Sequence, residues 1–457
     1  MCRTGPPPSL RLVPATAPAP SLTTHARDTG LVRSIGPFAL FASFIGMLLG
    51  SAIFVVPATM AAAVGPWAWL AYLGCGAAVG AVLICFAEAS ARVPTSGGVC
   101  GFVDAAFGPF WGFVTGAFNW ASAVVATGAI AAAAVDTLGT VSPVLANPAG
   151  RTLALVGWFG LLVAINARGA HVGARFSALA TSIKVIPVLI FVAVGVWFIA
   201  PANLTLPLAG GHADIGRAAI LGIFLFMGAE TGLSVCGEVR DPARTVPRAL
   251  IGAIFVYALV CIAVQVVAQG LLGNALGTSE APLADAMRMV SPPLGALLLA
   301  GTVISMLGWT FSDALVSPRM LFAMSRDGFL PTPLGRLTEG TRVPVIACIA
   351  HAGIAAGLAI SGSFESLVVV STLFCIAVYF IGTVAALKLR AEGVALAGPP
   401  VRIPGLPLIG IFGLGTMVWV TAQSTRNEFL ACVAVIAVAV LLYVLRRKPA
   451  QAPFAAS

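Results

Sequence analysis

The sequence carries very little charge. Only 9% of its 457 residues are Asp, Glu, Lys or Arg, whereas 59% are hydrophobic, and the mean hydropathy is +1.02. Soluble domains carry about 25% charged residues, so this composition excludes an ordinary soluble fold. No Gly-rich loop followed by Lys-Ser or Lys-Thr occurs, which argues against an ATP-driven pump. The composition indicates a membrane protein.

Residues suited to metal binding or covalent catalysis are also sparse. The four His and nine Cys are dispersed along the chain, and no pair of cysteines has metal-ligand spacing. No nucleophile–base pair stands out either. We therefore expect no cofactor, no metal and no enzyme activity. Residues 1–32 are rich in Pro, Ser and Thr and lack the apolar stretch of a signal peptide, which predicts a disordered cytoplasmic tail.

Long apolar runs are what the sequence has in abundance. A membrane-spanning helix needs about 20 apolar residues, and runs of that length recur about twelve times. They predict an all-α polytopic membrane protein with about 12 transmembrane helices. The runs lie near 36–64, 67–90, 108–137, 152–167, 176–200, 218–237, 248–271, 293–318, 344–361, 366–387, 405–424 and 428–445.

The basic residues are distributed unevenly between the two sides of the membrane. With twelve spans and a cytoplasmic N-terminus, only Arg151, Arg217, Arg288 and Arg426 of the 25 Lys and Arg fall outside, and Lys184 lies within a span. This asymmetry follows the positive-inside rule and predicts cytoplasmic termini in the cell membrane. The net charge of +9 therefore reflects topology, and we expect the lipid bilayer as a partner but no nucleic acid.

The first run contains Gly46 and the triplet Gly50-Ser51-Ala52 at mid-span. A helix broken there would start again near Ser51 to Ile53, with unpaired N–H groups and a partial positive charge that suit a carboxylate. The alternative is an unbroken helix with a glycine-rich packing face, which is common in membrane bundles.

The sixth run contains a second interruption, where Gly228 and Gly232 flank Glu230. Such a buried carboxylate could bind freed backbone amides, hold a proton or meet a substrate amine. The two interrupted runs lie five spans apart, and this odd offset makes the two halves inverted, which points to a transporter binding site. The predicted divisions are a first five-helix repeat (33–200), a second repeat (201–390), helices 11 and 12 (391–448) and a cytoplasmic tail (449–457).

Lys184 is the basic residue inside a predicted span. An ammonium in mid-helix costs about 2.5–3.5 kcal/mol on insertion scales, so it indicates a functional site by default. The alternative is that the long side chain reaches the cytoplasmic interface about 12 Å away. The sequence leaves the roles of Glu88, Asp136 and Asp313 open.

These motifs resemble those of the amino acid–polyamine–organocation transporters. The Gly50-to-Phe54 stretch is similar to that family's Gly-Ser-Gly-Ile-Phe break, and Pro94 to Gly98 is similar to its Pro-x-x-Gly-Gly segment. Phe224, Gly228 and Glu230, followed by residues 237–248, resemble its sixth-helix signature, which is the most specific piece. The resemblance covers about residues 35 to 390 and implies a LeuT-like fold of five plus five inverted helices.

The resemblance also implies a substrate site between the two breaks. Amides at the first break would bind the substrate carboxylate, and carbonyls of both breaks would bind its amino group. Phe224 and Trp309 match gating aromatic positions, and Ser371 matches a pocket position. The implied substrate-binding residues are Gly46, Met47, Gly50, Ser51, Ala52, Ile53, Phe224, Leu225, Met227, Gly228, Trp309 and Ser371.

Lys184 matches a lysine of proton-coupled members, so the resemblance implies proton coupling or sodium-independent exchange, with Glu230 as a second candidate for ion coupling. Departures from the family pattern bear on the substrate. Met47 and Phe224 stand where the arginine/agmatine antiporter has Asn and Trp, which favours neutral amino acids. The alternatives are a polyamine or cationic amino acid transporter or antiporter, and a channel or receptor that does not cycle. Oligomeric state is left open.

Overall fold

The computed structural model describes residues 35–95, 97–168, 185–205, 214–339, 341–396 and 402–445. Lys184 and both predicted terminal tails lie outside these ranges. The described residues form α-helices and short 3-10 helices with no strand, and one isolated β-bridge joins Ile35 to Val239. The protein is an all-α polytopic membrane protein.

The helices follow the predicted apolar runs. In the first half they are α1 (Pro37–Leu48), α2 (Val56–Val64), α3 (Ala68–Arg92), α4 (Gly98–Phe107), α5 (Pro109–Gly139), α6 (Pro143–Ala146), α7 (Pro148–Ala167) and α8 (Val185–Phe198). In the second half they are α9 (Ile215–Phe226), α10 (Pro242–Leu272), α11 (Pro282–Val290), α12 (Pro292–Arg326), α13 (Val345–Ser361), α14 (Phe364–Ala391), α15 (Leu406–Thr421) and α16 (Arg426–Val444).

Each of the twelve predicted runs contains at least one of these helices. Within the described ranges, eight helical stretches are long and apolar enough to cross a membrane. The first, fifth, ninth and eleventh runs contain shorter apolar helices. For the ninth and eleventh, the 17 residues of α13 and 16 of α15 span about 25 Å, close to the thickness of the hydrocarbon core.

Both predicted interruptions are present. In the first run, α1 ends at Leu48. The chain passes through Leu49 and extended Gly50 and becomes helical again in the 3-10 helix Ser51–Phe54, which precedes α2. The sixth run stops at Phe226 and turns before a second 3-10 helix, Thr231–Glu238. The alternative of an unbroken packing helix in the first run is therefore wrong.

Helices that lie five predicted spans apart pack against each other. α3 packs on α10, α5 on α12, and α7 on α13, while α14 touches α3, α5 and α9. Polar residues on α5 lie in these contacts. The hydroxyls of Ser122 and Ser371 each donate to the other residue's backbone carbonyl at 2.9 Å, and the Thr127 hydroxyl donates to Asp313 at 2.6 Å. These polar residues of α5 therefore lie on a helix-packing face.

Glu88 closes the end of the bundle where α3 terminates. Its carboxylate accepts hydrogen bonds from Arg92 at 2.7 Å and from Arg390 at 2.8 Å, and also from the Ile403 amide at 2.9 Å. Arg92 is 1% exposed and donates onward to the Val394 carbonyl at 3.0 Å. Because each charge has a partner, burial of this network is tolerated, and it ties α3 to α14.

The segment 237–248, which precedes the predicted run at 248–271, is partly helical. α10 begins at Pro242, with Asp241 as its N-cap at φ 47°. Proline at the first helical position loses no intrahelical bond, since its N–H would be unpaired there anyway. The Thr245 hydroxyl donates to the Arg240 carbonyl at 2.9 Å and so fixes the backbone just before the first turn of α10.

Replacing Gly228 by alanine is expected to lower the free energy of unfolding by about 1–3 kcal/mol, since its φ of 116° is strained for any other residue. An added β-carbon would also lie 2.9 Å from the Met47 carbonyl oxygen. Thermal unfolding of the detergent-solubilised protein measures the effect. Gly160→Ala is the control, because nothing lies within 4 Å of its added carbon. Equal melting temperatures for the two variants would contradict the close contact.

Candidate functional site

The two breaks face each other in the middle of the bundle. Gly228 lies so close to the Met47 carbonyl that a side chain would not fit, and an added carbon on Gly232 would lie 2.7 Å from the Phe44 ring. The Thr231 hydroxyl lies 3.7 Å from the Met47 sulfur. The ends of α1 and of the second 3-10 helix are therefore in direct contact, and the freed backbone of both breaks surrounds one region.

The amide side of this region is formed by the 3-10 helix that starts at Ser51. Ser51 and Ile53 are each 1% exposed and Ala52 is 7% exposed. The first amides of a helix have no partner within it, and they carry a partial positive charge. The Ser51 hydroxyl is also buried and makes no hydrogen bond within the part of the chain that the structure describes. Amides and hydroxyl together suit one carboxylate.

Several backbone carbonyls at the breaks already accept hydrogen bonds from the protein, which the sequence did not predict. The Leu225 carbonyl accepts a 3.0 Å hydrogen bond from the buried Tyr257 hydroxyl, and the Phe224 carbonyl accepts the Met227 amide at 3.3 Å. At the first break, the Leu48 carbonyl accepts the Gly50 amide at 2.6 Å. Each carbonyl oxygen has two lone pairs, so Phe224 and Leu225 can each accept one further donor.

Glu230 holds its own break together. Its two carboxylate oxygens accept the Gly228 amide at 3.1 and 2.9 Å, and the Tyr379 hydroxyl donates to it at 2.9 Å. The carboxylate is 6% exposed. These bonds favour the backbone-tying role among the three that the sequence left open. Tyr379 lies 149 residues away along the chain. The sequence offers one indication of this contact, because a tyrosine hydroxyl within an apolar span needs a hydrogen-bond partner.

Aromatic side chains cover the breaks on the side where α14 begins. Phe224 is 7% exposed and meets Phe364 edge to face, with ring centroids 6.4 Å apart. Trp309 on α12 lies against the first break, 3.8 Å from the position of a β-carbon on Gly50. Beyond them Arg217 pairs with Glu365 at 2.7 Å. These contacts close the region on that side.

The remaining candidate residues divide into two groups. Gly46, Met47 and Met227 are partly accessible at the breaks. Ser371 is fully buried, and its hydroxyl donates to the Ser122 carbonyl on α5. Lys184 lies outside the described residues. Within the described ranges, no three His, Cys, Asp or Glu side chains cluster as a metal site would require.

Comparison with known proteins identifies the family. The family model described as "Amino acid permease" matches residues 35–455. The methylthioribose transporter of Bacillus subtilis (strain 168) is 26% identical over 94% of this chain and 96% of its own length. The branched-chain amino acid permease of Lactococcus lactis subsp. cremoris is 29% identical over 64% of this chain and 68% of its own. An uncharacterized transporter of Mycobacterium tuberculosis is 30% identical over 91% of this chain and 92% of its own length.

These relatives are transporters and permeases, and the match covers the helices that carry both breaks. With its two interrupted helices in contact at the centre of an all-α membrane bundle, this chain belongs to the amino acid permease family.

Proposed function

We propose that the protein is a secondary active transporter that moves neutral amino acids across the cytoplasmic membrane by alternating access. The contact between the two breaks carries this proposal. It brings a helix start, whose first amides at Ser51 and Ala52 have no partner within the helix, next to carbonyls at the end of α9. An amino acid offers one carboxylate and one ammonium at fixed separation, and these two ends match the two kinds of backbone group.

A neutral substrate fits the side chains around the breaks. A guanidinium or a second ammonium needs a free carboxylate, and Glu230 already accepts the Gly228 amide and the Tyr379 hydroxyl. Met47, Met227 and Phe224 supply apolar surface for a substrate side chain. The relative described as a branched-chain amino acid permease supports this choice.

The same arrangement supports a transport cycle. The Phe224–Phe364 contact and the Arg217–Glu365 pair close the side on which α9 and α14 begin. With cytoplasmic termini, that side is the outside of the cell, and the structure then corresponds to an outward-closed conformation. Opening it requires the two aromatic rings to separate, so Phe224 acts as the outer gate over the bound substrate.

Proton coupling is assigned to Lys184 by the family resemblance. A lysine near the carbonyl ends of a broken helix is stabilised when charged, and a desolvated ammonium releases its proton more readily. Glu230 is the weaker candidate, because its carboxylate is occupied by backbone and tyrosine donors. Sodium-independent exchange is the alternative mode.

A screen of purified protein against the twenty amino acids, putrescine and methylthioribose tests the substrate class. A true substrate raises the free energy of unfolding by mass action, by about 2.7 kcal/mol at 100 times its Kd, and so raises the melting temperature. We expect a neutral apolar amino acid to stabilise the protein most. Stabilisation by arginine or putrescine alone would favour the cationic alternative. Counterflow in proteoliposomes then separates a transporter from a channel or receptor, which shows none.

The variant Ser51→Ala is expected to weaken binding of that substrate about tenfold, because one hydrogen bond to a charged carboxylate is lost. Its thermal stability should not fall, since the hydroxyl has no partner in the described structure. Isothermal titration and thermal unfolding measure the two effects. Ser361→Ala, which removes an exposed hydroxyl bonded to the Gly357 carbonyl, is the control. Unchanged affinity in Ser51→Ala would remove this hydroxyl from the site.

The variants Lys184→Ala and Lys184→Arg test the coupling site. Both should abolish proton-driven accumulation, since alanine removes the charge and arginine keeps it without releasing a proton. The measurement is uptake by proteoliposomes under an imposed pH gradient, with exchange of internal for external substrate as the control for folding. Accumulation that survives in Lys184→Ala would exclude this lysine as the coupling residue.

A further inference from the structure

A second polar cluster lies between α5, α12 and α13, away from the two breaks. At its centre is Asp313, whose Oδ1 accepts from the Ser317 hydroxyl at 2.5 Å and whose Oδ2 accepts from Thr127 at 2.6 Å. The Nε2 atom of His351 lies 3.1 Å from the same Oδ2. His351 is 1% exposed and Thr127 is fully buried. Charged groups inside a membrane bundle are costly, so this cluster requires an explanation.

The hydrogen bonds suit an ionised Asp313. Both hydroxyls act as donors, and an ionised carboxylate is an acceptor only. The Thr127 hydroxyl also lies 3.0 Å from the Ala123 carbonyl. Because it has one proton, it can donate either to Asp313 or to that carbonyl. The cluster can therefore stabilise the anion and can also adjust when its charge is neutralised.

The His351 ring has no comparable support. Neither ring nitrogen makes an aligned hydrogen bond to any described residue, although Nε2 is within ion-pair distance of Asp313. A buried imidazole without partners is unfavourable, whereas a protonated ring beside a carboxylate forms a compensated pair. The arrangement is thus prepared for a proton on Nε2.

Other charged groups near α13 are neutralised or remote from the ring. On α7, Arg151 donates to the Ala359 carbonyl but pairs with Asp136 of α5 at 2.6 Å. On α12, the exposed Arg319 acts electrostatically on Cys348, one turn before His351.

The uncharged neighbours of the ring complete the surroundings. From α5, Trp120 meets the ring edge to face with centroids 6.4 Å apart. The 3-10 helix Thr332–Gly335, which also packs on α13, contributes no titratable side chain. Within the described residues, Asp313 is therefore the carboxylate that faces the ring.

We propose that Asp313 and His351 form a binding site for a single proton within the membrane-spanning bundle. One O–H bond of a hydronium ion breaks, its proton bonds to Nε2 of the neutral ring, and water is left behind. The product is an imidazolium–carboxylate pair in place of a carboxylate beside a neutral ring, and no other covalent bond changes.

The site is connected to the first break through one face of α12. Trp309, Asp313 and Ser317 follow at intervals of four residues and so share that face. Trp309 lies against Gly50. A shift of α12 on protonation therefore moves Trp309 relative to the first break. This link to substrate binding rests on the proposed function.

Histidine NMR tests the proton site directly. The chain has four His, so the full-length triple variant His25→Gln, His171→Gln, His212→Gln retains His351 alone. In nanodiscs, the 15N signals of its ring should change from those of a neutral to those of a protonated imidazole as the pH is lowered. Adding Asp313→Asn should lower the proton affinity at least tenfold, whereas Asp285→Asn, in an exposed pair with Arg288, should not change it.

A ring that keeps one protonation state from pH 4 to 9, or a titration that Asp313→Asn leaves unchanged, would overturn the proposal. If Asp313→Asn does not fold, Ser317→Ala replaces it. Removing that donor leaves more charge on the carboxylate, so the proton affinity of His351 should rise about threefold. No rise would count equally against the pair.

The link to transport is tested separately with His351→Gln in proteoliposomes. In the wild-type protein, we expect the apparent affinity for substrate to change over the pH range in which His351 changes charge. In the variant, we expect this change to be lost. An unchanged pH profile would exclude the link while the NMR result still decides the proton site. Failure to find any amino acid substrate would overturn the proposed function and leave the NMR test intact.

Discussion

Lipid offers no hydrogen-bond partner to a freed amide or carbonyl, and the centre of this protein is organised by that constraint. Two helices are interrupted at mid-span, so the protein itself must satisfy the groups that the interruptions release. Gly228 allows the second break to contact the Met47 carbonyl, and Glu230 binds the Gly228 amide. Tyr257 takes the Leu225 carbonyl. After these partners are assigned, the first amides of the 3-10 helix at Ser51 have no partner within that helix, which is the feature that the proposed substrate site uses.

Much of this arrangement could be predicted from sequence because the signals are local. Glycines at mid-run marked both breaks, and the odd offset of five runs from one break to the other predicted inverted halves. Hydropathy gave the run positions because length and composition alone determine them. The start of α10 at Pro242 was missed, since a charged stretch reads as a loop until its proline is recognised as the first helical position.

The partners of the buried polar groups could not be predicted, because they depend on how distant helices align. Glu230 and Tyr379 are 149 positions apart, and Ser122 and Ser371 are 249 apart. A single polar residue in an apolar run indicates that it has a partner, but it does not indicate which residue the partner is. The same holds for Asp313, which the sequence marked as unexplained and which the structure places beside His351. Side-chain register across a helix contact is a tertiary property.

The placement of charge separates groups that hold the fold from groups that can respond. Glu88 has three donors and Glu230 has backbone and tyrosine donors, so a change of charge would break existing bonds in either case. His351 differs, because its ring makes no aligned hydrogen bond to any described residue and gains Asp313 as an ion-pair partner when it is protonated. A residue that can change charge without breaking the structure is the kind that a coupled transporter needs. This difference in hydrogen bonding, more than burial alone, distinguishes a proton site from a structural ion pair.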